Sequence, residues 1–98
     1  MTVHTEKKDA AVTLHVSGQL DTTTAPEPEA VVNAMPDDVK ELTLDMTEAA
    51  YISSAGLRVL LGAQKKMNKI GSMKLTGVCK TVIDVLEITC FTDILTIV

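Results

Sequence analysis

Few residues in this chain have the types and spacing to do chemistry. Ser53 and Ser54 stand together in "LTLDMTEAAYISSAGLRVLL", between an alternating apolar run and an amphipathic pattern. An acyl-transfer serine needs a base and a group to orient that base. The only histidines, His4 and His15, lie near the N-terminus, and residues 52–56 read Ile-Ser-Ser-Ala-Gly rather than a G-x-S-x-G elbow. Hydrolase chemistry is therefore not expected. His4 and His15 have no partner at ligand spacing and are read as surface or strand-face residues. Cys79 and Cys90, with no C-x-x-C between them, are read as two buried free thiols. No catalytic, metal or cofactor residue is expected.

Serines directly before a helix have two uses that need no base. Ser54 is placed to act as an N-cap, its oxygen accepting from an amide two or three residues on; both serines also suit a strand-to-helix turn. A helix start also favours phosphate, because unpaired amides and the positive end of the dipole meet there. Such a phosphate could belong to a bound nucleotide or be attached to the serine itself; no P-loop is present, and covalent attachment needs none. Esterification adds about −1.5 to −2 charges at neutral pH.

The elements that would position these serines follow from periodicity. The 98 residues are 46% hydrophobic and 22% charged, which fits one soluble globular domain over residues 1–98. Residues 3–7 and the alternation of Val12, Leu14 and Val16 against Thr13, His15 and Ser17 form a hairpin through residues 8–10. Gly18 breaks the second strand. "TTTAPEPEAVVNAM" starts a helix with threonine cap candidates, early prolines and acidic residues in its first turn, and Pro36-Asp37-Asp38 stops it. "VKELTLDM" is a strand, 47–53 a connection, and a helix runs from 55 to 68 or 69, with Leu57, Leu60, Leu61, Gln64 and Met67 on one side. Gly71 closes it. "MKLTGV" is a strand, "KTVIDVLEI" a helix with Val82, Ile83, Leu86 and Cys90 inward, and "ILTIV" a last strand. The order ββαβαβαβ implies an α/β fold: a mixed, mostly parallel sheet with an N-terminal hairpin and right-handed crossover helices on one or both faces.

Composition narrows the partners. Two aromatics, Tyr51 and Phe91, and a net charge of −4 argue against nucleic-acid binding. No apolar run approaches the roughly 20 residues of a membrane span, and the N-terminus has no signal-peptide core. A cytoplasmic location is expected. Lys65, Lys66 and Lys69 read as a solvated face, and Met35, Met46, Met67 and Met73 as core filling.

The stretch "LTLDMTEAAYISSAGLRVLLGAQKKMNKIGSMKLTGV" resembles the STAS domain of bacterial anti-sigma factor antagonists: Leu44 and Asp45 at a strand end, then Tyr51, Ile52, Ser54, Ala55, Gly56 and Leu57. Gly18, Leu20 and Asp21 in "VSGQLDTTTA" match a second signature. The resemblance implies partner switching. The unphosphorylated antagonist binds an anti-sigma factor that is also a serine kinase, phosphorylation of Ser54 releases it, and a phosphatase resets the switch. It further implies a docking face of Asp21, Thr22, Thr23, Thr24, Ser53, Ala55, Gly56 and Arg58, with Asp45 near the acceptor. Ser53 replaces the Asp that many members carry before the acceptor, so two adjacent hydroxyls compete for that role. The expected protein is a monomer or weak dimer without enzymatic activity. The alternatives are a non-phosphorylated docking module in a transporter or sensory complex and, from the enzyme class, a small nucleotide-binding domain.

Overall fold

The computed structural model describes residues 2–98, and its elements run in the order β-β-α-β-α-β-α. The strands are β1 (Thr2–Lys8), β2 (Ala11–Leu20), β3 (Glu41–Ile52) and β4 (Ser72–Thr76); the helices are α1 (Pro26–Asn33), α2 (Ser54–Ile70) and α3 (Lys80–Ile88). They form one sheet in the order β1-β2-β3-β4. β1 pairs antiparallel with β2 through a tight turn at Asp9 and Ala10, whereas β2–β3 and β3–β4 are parallel. The expected mixed α/β fold is the observed one.

Both parallel crossovers step the same way across the sheet, so right-handed connection puts α1 and α2 on one face. Val12, Leu14 and Val16 of β2, Leu42, Leu44 and Met46 of β3, and Met73 and Leu75 of β4 all point to that face and share a core with Val32, Leu57, Leu60, Met67, Val82 and Leu86 of the helices. The other face, carrying Thr13, His15, Thr43 and Asp45, has no layer over it among the described residues. That is why the strands alternate rather than read as continuous apolar runs. The four internal methionines are buried, as expected of core filling.

Several boundaries differ from expectation, each for a local reason. Gly18 bends β2 without ending it: at φ 88 it sits among register shifts between His15 and Ser17 and between Gly18 and Gln19, and pairing resumes to Leu20. The supposed connection at 47–53 is mostly strand, since Glu48, Ala49, Tyr51 and Ile52 pair with the far half of β2. The final strand reduces to one parallel bridge, Leu75 to Ile97, flanked by Leu75 N to Thr96 O at 2.8 Å and Val98 N to Leu75 O at 3.0 Å. Cys90 is exposed, not buried: α3 stops at Ile88 and the chain reverses through Cys90 at φ 63. Cys79 is half-buried, with its thiol 3.5 Å from Ala49 O, and both thiols are free.

Gly71 closes α2 as expected, though not by left-handed backbone. A β-carbon there would collide with the Lys40 carbonyl, which accepts from Ser72 N at 2.9 Å. Lys66 departs from the solvated face: its Nζ donates to Val32 O at 2.9 Å and Met35 O at 2.8 Å. α1 has no basic residue in its own last turn, so a lysine from α2 supplies the cation its C-terminal carbonyls favour. Lys65 and Lys69 remain exposed.

Candidate functional site

The serine pair lies where β3 hands over to α2. Ser53 extends the strand by one bond, its N donating to Leu20 O at 2.9 Å, and its own carbonyl accepts from Leu57 N at 2.9 Å. Its backbone is extended at φ −104 and ψ −179, which makes Ser53, not Ser54, the N-cap residue. Among the described residues no side chain caps α2, and none pairs with Ser53 Oγ, which is buried. Ser54 is the first helical residue and is exposed. The amides of this first turn therefore keep their hydrogens for another acceptor, and no acidic residue stands in the turn to oppose an anion.

Gly56 faces inward. A β-carbon at that position would lie 2.7 Å from Ile52 Cγ1 and 2.8 Å from both Leu20 Cγ and Leu20 O. The close approach it permits is of α2 onto the ends of β2 and β3, rather than of a partner's backbone. Ala55 is half-buried and Arg58, one turn beyond Ser54, is exposed.

The second signature forms the loop beside this corner, because Leu20 and Ile52 are paired at the same end of the sheet. Asp21 Oδ1 accepts from Thr23 N at 3.0 Å and Thr24 N at 3.2 Å. Thr24 Oγ1 accepts from Asp21 N at 2.9 Å and donates to Gln19 O at 2.6 Å. Asp21 and Thr24 together thus organise the entry to α1, whose own N-cap is Ala25 with no side-chain bond. Thr22 and Thr23 are left exposed on the loop. Ser53, Ser54, Ala55 and the loop come together; Arg58 adjoins them one turn along α2.

Asp45 does not belong to this corner. β3 continues to Ile52, and seven residues of strand carry the chain on the order of 20 Å further. Asp45 instead lies on the open sheet face. Its Oδ1 accepts from Thr47 Oγ1 at 2.6 Å and Thr47 N at 3.0 Å, and its Oδ2 lies 2.8 Å from His15 Nδ1. The Thr47 bonds, first its hydroxyl and then its amide, hold the Asp45 carboxyl below its ordinary value; burial opposes them, and His15 adds to them. His15 Nε2 lies 2.9 Å from Glu6 Oε1, and the His4 ring centroid is 5.9 Å away. This cluster was not legible: a hairpin turn at residues 8–10, as expected from the sequence, sets His4 opposite Leu14, whereas the observed two-residue turn at Asp9 and Ala10 sets His4 opposite His15, with Glu6 on the same face. Among the described residues no group of His, Cys, Asp and Glu can hold a metal.

An α/β domain with one covered sheet face, an uncapped helix start bearing an exposed serine, and a loop organised by Asp21 and Thr24 beside it defines a protein built to present a corner. The family is shown by comparison. The STAS domain profile matches residues 2–98, and the chain belongs to that family. An anti-sigma-B factor antagonist of Listeria monocytogenes is 32% identical over 96 residues, covering 94% of this chain and 82% of that protein. An anti-sigma factor antagonist from Mycobacterium paratuberculosis superimposes with a TM-score of 0.84 at 22% identity, over 98% of this chain and 83% of that one. SpoIIAA matches in its unphosphorylated form (TM-score 0.83, 16% identity, 99% and 88% covered). It also matches in its phosphorylated form, from Bacillus, at 0.78 and 15%, with 99% and 91% covered. Among the described residues no helix is long and apolar enough to cross a membrane.

Proposed function

We propose that this protein is a cytoplasmic anti-sigma factor antagonist that works by partner switching, a binding switch rather than an enzyme. Unphosphorylated, its corner of residues 21–25 and 53–58 docks on an anti-sigma factor that is also a serine kinase. Phosphorylation of Ser54 breaks the complex, and a phosphatase restores it. The observation that carries the choice of acceptor is the contrast within the serine pair: the Ser54 side chain is exposed at the first turn of α2, while Ser53 Oγ is buried.

Magnitudes favour release without refolding. A negative charge at an exposed helix start gains about 0.3–1 kcal/mol from the dipole, so the domain itself accommodates the ester. A hundredfold loss of partner affinity needs only ~2.7 kcal/mol. Taking a phosphate dianion out of water into an interface costs several kcal/mol, which is ample.

The test is phosphotransfer followed by binding. Incubation with the anti-sigma kinase and Mg-ATP adds one phosphate by intact mass, retained in Ser53→Ala and absent from Ser54→Ala, and the phosphorylated protein loses about a hundredfold in affinity. Absence of phosphate from every form, with binding intact, would turn the reading to a constitutive docking module.

A further inference from the structure

Resting on the reading of Ser54 as the acceptor, we propose that Arg58 is the intramolecular counter-charge of the phosphate, so that modification both adds an anion to the corner and withdraws its free cation. Residues four apart on a helix are surface neighbours, and an anion preceding a cation by four is the favoured orientation. Ser54 and Arg58 stand in that relation on the first two turns of α2, and both are exposed. The Arg58 guanidinium is uncommitted: among the described residues none of the ion pairs includes it. Glu29 of α1 lines a groove together with Arg58, Val59, Gly62 and Ala63, and Glu29 and Arg58 do not form an ion pair within 4.0 Å. A phosphate carries up to twice the charge of a carboxylate and matches the planar guanidinium fork with two oxygens. With no side chain among the described residues capping α2, the ester also has first-turn amides on its other side. Phosphate, amides and guanidinium then close on one another, and Arg58 leaves the face it offered to a partner.

The test uses the full chain with phosphoserine incorporated at position 54 during translation, which makes it independent of any kinase. Failure of enzymatic phosphorylation would therefore sink the functional reading and leave this measurement standing. The second ionisation of the phosphate is followed by phosphorus NMR in the Arg58 protein, Arg58→Lys and Arg58→Gln. Asp21 of the loop and Glu27 and Glu29 of the first turn of α1 are carboxylates of the adjoining elements; they are present in all three proteins, so the comparison isolates position 58. The acid dissociation constant should be about two- to threefold larger with Arg58 than with Gln, and Lys should recover most of the difference. The gap should close at about 1 M salt, where the screening length is about 3 Å. Equal constants in the Arg and Gln proteins, or a gap that salt leaves untouched, would overturn the proposal.

Discussion

Ser53 and Ser54 are the same chemical group one residue apart, and the backbone separates their fates. Ser53 is held by strand pairing to Leu20, which turns its hydroxyl inward; Ser54, one peptide later, has helical geometry and faces solvent. Asp45 shows the opposite effect, two groups distant in sequence made into one unit with His15. Because its carboxyl is held below the ordinary value, Asp45 stabilises the fold as an anion. The sign follows: its contribution is complete above the unfolded carboxyl value of about 3.9 and is lost as pH falls through the lower folded value. Urea midpoints between pH 6 and pH 2.5 should therefore show a constant gap between the native protein and Asp45→Asn above about pH 5, closing only at strongly acid pH. A gap that widened on acidification would contradict the Thr47 bonds as its cause.

At the scale of elements, two contacts fix the helices that frame the corner. Gly56 lets α2 sit directly on Leu20 and Ile52, so Gly56→Ala must push the helix start outward. Overpacking of this kind costs about 1–3 kcal/mol, readable in chemical denaturation, and the displaced helix start should also weaken partner binding. Lys66 ties the end of α1 to the middle of α2 through two carbonyls. Lys66→Met keeps most of the aliphatic stem and removes the cation, so about 1–2 kcal/mol should be lost. Lys65→Met, on an exposed neighbour, should be within about 0.5 kcal/mol of neutral. A comparable loss from both substitutions would show that general charge, rather than the α1 terminus, is at work.

Across the whole molecule, the serine corner and its loop are built on one end of a sheet whose helices all lie on one side. The core beneath is continuous from Leu20 and Ile52 through α2 to Leu75 and Leu86. Such a framework has no hinge for a surface phosphate to drive, and packed interiors resist continuous deformation. Backbone amide shifts on phosphorylation should accordingly be confined to 47–58 and the adjoining 19–25 loop. Changes spreading into β1 or α3 would require a conformational switch instead of a local charge effect. The exposed Ile88, Ile94 and Val98 lie on the C-terminal elements, outside this corner.

Periodicity and punctuation alone determined the order of elements up to α3, the hairpin, the parallel sheet and the sides of the strands that enter the core; the last strand they implied is a single bridge. Those properties depend on local propensity and on the two-residue and 3.6-residue repeats of apolar side chains, which a single sequence displays. The serine–helix junction was visible for the same reason, whereas the aspartate of the neighbouring loop was marked only by the family resemblance. What tertiary structure decided were the outcomes set by pairing between distant segments. β3 continued past Asp45 because β2, bent at Gly18, offered it a partner, and that carried the aspartate away from the acceptor. One sheet face stayed open because both crossovers stepped in the same direction. Lys66 left the solvated face because the end of α1 arrived beside it, and Ser53 lost its hydroxyl to the interior because Leu20 claimed its amide. Each depends on register and crossing between segments, and the residues of one segment do not encode the position of another.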